Sequence, residues 1–414
     1  MPLIKPFRAL RPKPGLAAQV VAPPYDVVSF AEARALAQGK PYSFLHVSRP
    51  EIDLDPSLDP YAAAVYKQGN QTLQAWVAKG LLLQDSEAGY YLYQMQEGDH
   101  RQTGVVAAAS VAAYDANNIV KHELTRNDKE QDRVRMIDGM NAQASPVLLA
   151  CPPHAPLAAL MAQETSRQPD EEVVGERGVI HRLWKLNAAS TQTMDALFNG
   201  PQAFTQKLYI ADGHHRSAAA SRVCAQRLQT QPQAPQDAAF RYFLSVIYLA
   251  DEMKILDYNR VVADLHGLSK EDLLKALNKD FLVRATSVPH RPTQAGEMGM
   301  FLGGTWYALT IKPDRVPQDP TESLDVSLLM SFVLRPWLGI ENPRTDKRID
   351  FVGGIRGLKE LEAKVKSGDW AVAFALYPTS MSQIMQVADA GQIMPPKSTW
   401  FEPKLVDGLV THLL

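Results

Sequence analysis

YIADGHHRSAAA, residues 209–220, decides how this chain is read. The run KLYIAD (207–212) has the length and apolar character of a buried strand, and the alanine-rich residues 214–228 have those of a helix. Asp212, Gly213, His214, His215 and Arg216 therefore fall where a strand hands over to a helix. Glycine permits a tight turn and close approach of a ligand there. The N–H groups of a first helical turn and the positive end of its dipole favour an anion, and a guanidinium can fork onto phosphate. The plainer reading is that Asp212 caps the helix and the histidines are solvated or satisfied in the core. An acid, two imidazoles and a guanidinium within five residues at a strand end favour a site.

Working outward, strands and helices alternate: strand 146–151, helix 155–166, strand 181–186, helix 190–198 and strand 241–249. Upstream, Asp59 to Lys79 carries helical apolar spacing and stops at Gly80, and residues 89–114 read as a hairpin turning at Glu97-Gly98-Asp99. A charged helix follows near Asp128 to Met140. The first 55 residues, rich in proline, are expected to be irregular with short strands. Downstream come a helix from Leu265 to Leu277 opened by Ser269, a second hairpin at Gly303-Gly304, a helix at 324–334, strand-turn-helix at 349–366, a strand at 370–376 and a helix at 380–388. A βαβ unit fits the last of these lengths. The fold class expected is α+β or mixed α/β, several mixed sheets flanked by helices. Residues 1–230 would form a lobe with the hairpin and the DGHHR segment, and 231–414 a second lobe closing over it.

With 43 Lys+Arg against 45 Asp+Glu in 414 residues, the net charge of −2 supplies no field to attract nucleic acid or an anionic membrane. Cys151 and Cys224 are too few for a disulfide framework and lack a CxxC spacing, so they read as buried thiols. No run of 18 apolar residues and no signal-peptide core occurs, which predicts a cytoplasmic protein with no membrane partner.

Further segments carry chemistry. KHELTRNDKEQDR (121–133) crowds Lys121, His122, Glu123, Arg126, Lys129, Glu130, Asp132 and Arg133 together. As a solvated helix it gains from Arg126/Glu130 and Lys129/Asp132 and loses from Lys129/Arg133. His122-Glu123 offers an acid/base pair or a metal-binding edge, but Arg126 breaks an HExxH zinc pattern. Residues 341–364 repeat the strand-glycine-helix geometry with Gly353 and Gly354 as candidate phosphate donors, without a Walker A or GxGxxG pattern. IMPPKSTWFEPKL (393–405), a proline-bounded loop with Lys397, Ser398, Thr399, Trp400 and Lys404, offers a lysine and two hydroxyls to a phosphate, or tucks Trp400 and Phe401 over a hydrophobic lobe. VAPPYDVVS (21–29) and LDYNRVV (256–262) place Tyr25, Asp26, Asn259 and Arg260 where a turn or a ligand contact would use them.

PFRALRPKPG, VAPPYDVV, KHELT with KEQDR, YIADGHHRSAAA, ILDYNRVV, RIDFVGGIRG and PPKSTWFEPKL together resemble the bacterial domain-of-unknown-function family 1015 over nearly the whole chain. More remotely, DGHHR followed by small helical residues resembles the ParB/sulfiredoxin-like superfamily, which includes nucleotide-binding proteins, ATP-using sulfiredoxins and free-serine kinases. That second resemblance implies a nucleotide-binding core. Gly213, His214, His215 and Arg216 would contact nucleotide or transferring phosphate, and Asp212 would orient a histidine or a metal. No basic recognition helix follows the segment, and Cys224 lies too far into the helix for sulfiredoxin chemistry.

The expected function is a phosphotransferase with ATP or ADP as donor, Mg²⁺ bridging its phosphates and a small hydroxylated metabolite, free serine foremost, as acceptor. Glu123 or Asp212 would be the base, His214 or His215 would meet the transferring group, and Arg216 with Lys397 would stabilise charge. Tyr25, Asp26, His122, Arg126, Asn259 and Arg260 would hold substrate. Two other classes use the same residues: a nucleotide sensor without turnover, and a metal-dependent hydrolase built on His122, Glu123, Asp212 and His214. Each single-site reading requires Glu123 and His214 to converge.

Overall fold

The strand that ends in Asp212 belongs to a nine-stranded mixed sheet, and the computed structural model describes it within residues 2–414. The chain divides into two compact units, Met1–Met253 with Pro403–Leu414, and Lys254–Glu402. The first unit's sheet contains β1 (Ile4–Lys5), β2 (Tyr91–Glu97), β3 (His100–Ser110), β4 (Ile119–Val120), β5 (Val147–Cys151), β6 (Glu171–Val174), β7 (Ile180–Lys185), β8 (Leu208–Asp212) and β9 (Tyr242–Leu249). Their order is β4-β8-β5-β9-β3-β2-β7-β6, with β1 beside β3. The β4/β8 and β5/β9 pairs are parallel and the remaining pairs antiparallel, so the sheet is mixed.

The unit's longer helices are α1 (Phe30–Ala37), α2 (Ala63–Ala78), α3 (Asn127–Met140), α4 (Ala155–Thr165), α5 (Ala188–Asn199) and α6 (His214–Thr230). Leu149, Ile210 and Ile247 from adjacent strands meet Leu157 of α4, Met194 of α5 and Ala220 of α6 in one apolar cluster. A second joint decides the site: Val134 and Ile137 of α3 pack on Ala219 and Val223 of α6. The apolar stripe of the charged helix thus lies along the DGHHR helix.

The boundary expected between residues 230 and 231 is corrected by the sheet. Strand β9 lies between β5 and β3 and belongs to the first unit. Residues 403–414 also return to it, where Asp407 bridges Ala22, Thr411 bridges Leu10 and His412 pairs with Gln143. The proline-rich start contains more structure than expected. Ser29 accepts from the Glu32 N–H while Glu32 accepts from the Ser29 N–H, a reciprocal cap that starts α1.

The second unit holds β10 (Tyr258–Val262), β11 (Phe281–Thr286), β12 (Glu297–Leu302), β13 (Thr305–Ile311), β14 (Ile349–Gly353) and β15 (Val372–Leu376), an antiparallel sheet ordered β11-β13-β12-β15-β10-β14. Its helices include α7 (Lys270–Leu277), α8 (Gly357–Lys366) and α9 (Met381–Asp389). The expected βαβ unit is present in split form, because β10 runs antiparallel between β14 and β15. LDYNRVV supplies that central strand rather than a loop. Leu361 of α8 packs on Val261, Val352 and Ala373, which fixes one face of the sheet. Both cysteines are free and buried, and burial pushes the Cys151 thiol up to about 12. No helix among the described residues is long and apolar enough to cross a membrane.

Candidate functional site

Strand β8 slips register between Ile210 and Asp212 against β5, a bulge that re-aims the last residue of the strand. Gly213 then takes φ +104°, the left-handed side of the map that a side chain resists, and α6 begins at His214. No side chain caps this helix. The Asp212 carboxylate instead faces Lys404 Nζ at 3.2 Å and Arg216 Nη2 at 3.5 Å. Burial would raise its pKa, but these two cations prevail and hold it below the ordinary carboxylate range.

Arg216 is buried within the first turn of α6. Its guanidinium donates to the Pro146 carbonyl and faces Asp212 and Asp26, the latter at 3.6 Å. Burial works against its charge; Asp26, Asp212, Tyr25 and Asp407 outweigh that and raise its pKa. Tyr25 lies beneath Arg133, whose guanidinium carbon is 3.9 Å from the ring centroid, and donates its N–H to Asp407 Oδ2 at 3.2 Å. Burial pushes the Tyr25 hydroxyl up to about 12 and Asp407 up to about 7. The segments 21–29, 145–147, 212–216 and 403–407 therefore meet on one guanidinium.

Glu123 and His214 converge as the single-site readings require, with Glu123 Oε2 at 3.5 Å from His214 Nδ1. The other ring nitrogen, Nε2, accepts from the His122 N–H at 3.4 Å, which assigns the proton of a neutral imidazole to Nδ1. Burial is the main cause that keeps His214 neutral, with the neighbouring His122 adding to it. His215 Nε2 accepts from the Arg126 N–H at 3.0 Å. Adjacent histidines thus fasten the 121–126 segment to the start of α6, and both are engaged by backbone rather than turned to a reacting group. His122 is the contrast. Its ring is fully buried at 4.5 Å from that of His214, both ring nitrogens lack a partner, and burial lowers it to about 4.

The charged run does not pair with itself as its spacing predicts. Glu130 binds Arg222 and accepts from Thr125, Arg126 pairs with Asp128, and Asp132 with Arg133, because Glu130 and Arg133 turn inward. The three site carboxylates are similarly exposed, Glu123 at 41%, Asp26 at 39% and Asp212 at 35%, so their partners and not their burial tell them apart. Among the described residues no group of three or more His, Cys, Asp or Glu is arranged to hold a metal ion. An ion carried in with nucleotide phosphates needs only one or two protein carboxylates, which this donor set provides.

Asn259, Arg260, Gly353, Gly354, Lys397, Ser398 and Thr399 all lie in the second unit. The two glycines are used in packing there. A Cβ on Gly353 would come within 2.4 Å of the Trp400 ring, and one on Gly354 within 2.4 Å of Asp257 Oδ1. Asn259 bridges Asp257 Oδ2 and the Leu376 N–H, and Ser398 donates to the Pro395 carbonyl. Sequence reasoning placed the second cation of the phosphate site at Lys397, whereas Lys404 is the lysine beside Asp212. Asp407 went unnoticed altogether. The only available signal for Lys404 was its place in the same proline-bounded segment.

A family model described as a protein of unknown function, DUF1015, matches residues 4–327. No curated protein matches the sequence. Among solved structures, a free serine kinase in complex with AMP aligns at TM-score 0.34 and 12% identity over 72% of this chain and 86% of that chain. SbnI with a C-terminal truncation from Staphylococcus aureus aligns at TM-score 0.37 and 11% identity over 73% and 85%. A conserved hypothetical protein from Pyrococcus furiosus aligns at 0.33 and 13% over 73% and 94%.

Proposed function

The chain belongs to the DUF1015 family, and from that premise we propose that it transfers a phosphoryl group from a nucleotide, ATP or ADP, to the hydroxyl of a small metabolite such as free serine. The observation that supports this is the arrangement around the first turn of α6: a buried guanidinium, a second cation at Lys404, and the orphaned imidazole of His122. A helix N-terminus with fixed positive charge is the environment a phosphate requires. Phosphoryl transfer asks the protein mainly to position groups and neutralise charge.

Arg216 and the N–H groups of residues 214–216 bind the phosphate chain, and Lys404 balances the charge that builds on it. Glu123 takes the acceptor's proton, because it is exposed and backed by the Nδ1–H of His214, whereas Asp212 is already committed to two cations. The acceptor oxygen bonds to phosphorus as the bond to the nucleotide oxygen breaks, and the departing nucleotide keeps that electron pair. Mg²⁺ bound with the phosphates would supply charge neutralisation, and the Asp26 carboxylate would hold it. The His214 and His215 rings act as fasteners of the 121–126 segment.

Phosphorus NMR of the protein with Mg²⁺, ATP or ADP and a mixture of hydroxylated metabolites tests the reading. A new phosphomonoester resonance that requires the mixture and vanishes in Arg216→Ala supports it. Nucleotide-dependent line broadening without product instead supports a regulator that binds and does not turn over. That second reading draws on one observation, the engagement of both histidine Nε2 atoms by backbone.

A further inference from the structure

Side chains alternate along β10, so Tyr258 and Arg260 share one face of the second sheet with their register partners on β14, Gly353 and Phe351. Val261 and Val352 point to the opposite face, against α8. Residues 395–400 cover the Tyr258–Arg260 face: the Trp400 ring lies on Gly353, and it meets the Tyr258 ring edge-on at 5.2 Å. Tyr258 in turn meets Phe351 at 6.2 Å. Three rings thus form one aromatic row on this face, and the Phe351 ring at its end meets the Arg260 guanidinium.

Arg260 is only 3% exposed. It donates to the carbonyls of Tyr258 and Lys397, the second at 2.9 Å, and stands 5.3 Å from the Phe351 ring centroid. Among the described residues no carboxylate pairs with it; neighbouring Asp257 is held by Arg291 at 3.1 Å and by Asn259. Arginine is rarely buried without a counter-charge, since desolvating a cation is costly. Burial draws its pKa down to about 9, with Tyr258 the one ionisable group acting in the other direction.

A second cation stands on the covering loop. The Lys397 ammonium is 5.6 Å from the centroid of the Tyr258 ring, and its backbone takes φ +58°, a conformation lysine adopts at a cost. Two cations beside three aromatic rings, with no acid to balance the buried one, leave a negative charge to be supplied from outside.

We infer that Arg260 and Lys397 form an oxyanion-binding site in the second unit, which takes the phosphate or carboxylate group of a small metabolite between Lys397 and the Tyr258 and Trp400 rings. Arg260 spends part of its fork on the carbonyls that set the loop and directs its remaining donors to the ligand. Neither the site nor its ligand class depends on the phosphoryl transfer proposed for the first unit.

The test follows Trp400 in the full-length protein labelled with 5-fluorotryptophan, its fluorine resonance assigned by Trp400→Phe. Titration with inorganic phosphate is expected to shift that resonance saturably. Lys397→Gln, a change at an exposed side chain, is expected to weaken the response at least ten-fold, and Arg260→Lys to weaken it by removing the forked donors. A parallel titration with acetate separates the two sources: a saturable shift with acetate assigns carboxylate ligands, and a shift with phosphate alone assigns phosphorylated ones. Lys404→Gln is expected to leave the Trp400 titration unchanged, so failure of the phosphoryl-transfer reading and failure of this one give different results. No saturable shift with either anion, or an undiminished one in Lys397→Gln, overturns the inference.

Discussion

Arg216 joins three requirements that a phosphate site must reconcile. It is anchored by a carbonyl, its charge is balanced by Asp26 and Asp212, and it lies in the first turn of a helix that begins on a glycine. Removing it takes the cation from Asp26, leaves Asp212 with Lys404 alone and empties a buried position. Arg216→Ala is therefore expected to lower the urea midpoint markedly and abolish nucleotide binding in calorimetry. Arg216→Lys should keep more of the stability while still losing at least ten-fold in nucleotide affinity, because an ammonium lacks the fork.

Protonation acts on the same residues. His122, His181 and His412 are each lowered to about 4 by burial, and His214 is lowered as well. The unfolded chain takes up these protons below about 6.5, while the folded chain refuses them until about 4, so folding stability is present above that upper value and is lost as pH falls through the window. Asp325 and Asp407, raised to about 7, oppose this: the fold loses their contribution as pH rises from about 4 to 7. His215 is lowered too, and these five histidines outweigh Asp325, Asp407 and the raised carboxyls of Glu171 and Glu252. Urea midpoints measured from pH 7 to pH 4.5 should fall with acidity, and His412→Gln, which removes one buried imidazole, should flatten the slope.

At the scale of the element, the turn from β8 to α6 was legible because its residues carry their own geometry. An apolar strand, a glycine and alanine-rich residues specify strand, left-handed turn and helix locally. Gly213→Ala tests that turn. A Cβ there would sit 3.0 Å from Arg216 Nε at φ +104°, and left-handed backbone costs a side-chain-bearing residue about 1–2 kcal/mol. The variant is expected to fold with a lowered melting temperature and to bind nucleotide more weakly, since the guanidinium must move. Both hairpins and most helices were legible for the same local reason, but the pairing of strands was not. Nothing in PVLLAC or RYFLSVIYL distinguishes a parallel neighbour from an antiparallel one, and these two strands run parallel. The start of α1 was hidden by surrounding prolines even though Ser29 and Glu32 carry the spacing of a reciprocal cap.

At the scale of the whole molecule, sequence distance concealed half of the site. Lys397 and Lys404 flank the same short strand, Trp400–Glu402, yet fall into different units because the chain returns to the first unit at Pro403. Asp407 and Asp26 likewise lie near Arg216 from opposite ends of the numbering. Such contacts are made where residues 403–414 return to the first unit, a pairing no window of local residues encodes. Deleting residues 403–414 should abolish nucleotide binding and lower the unfolding midpoint, since Lys404, Asp407 and the pairing of His412 with Gln143 are lost together. A shortened chain that still bound nucleotide in calorimetry would show that Arg216 and α6 suffice.

The return at Pro403 also sets a timetable for biosynthesis. Lys254–Leu256 pairs with Trp400–Glu402, so the second unit enters and leaves through one two-stranded ladder, in the manner of an insertion. A ribosome adding ~5–20 residues per second spends on the order of ten seconds between Met253 and Lys404. Throughout that interval the nascent first unit carries Arg216 with Asp26 and Asp212 but lacks Lys404 and Asp407. On the proposed function, nucleotide capture would be deferred until translation has passed through the second unit, and a ribosome stalled within it would leave a chain that lacks Lys404 and Asp407.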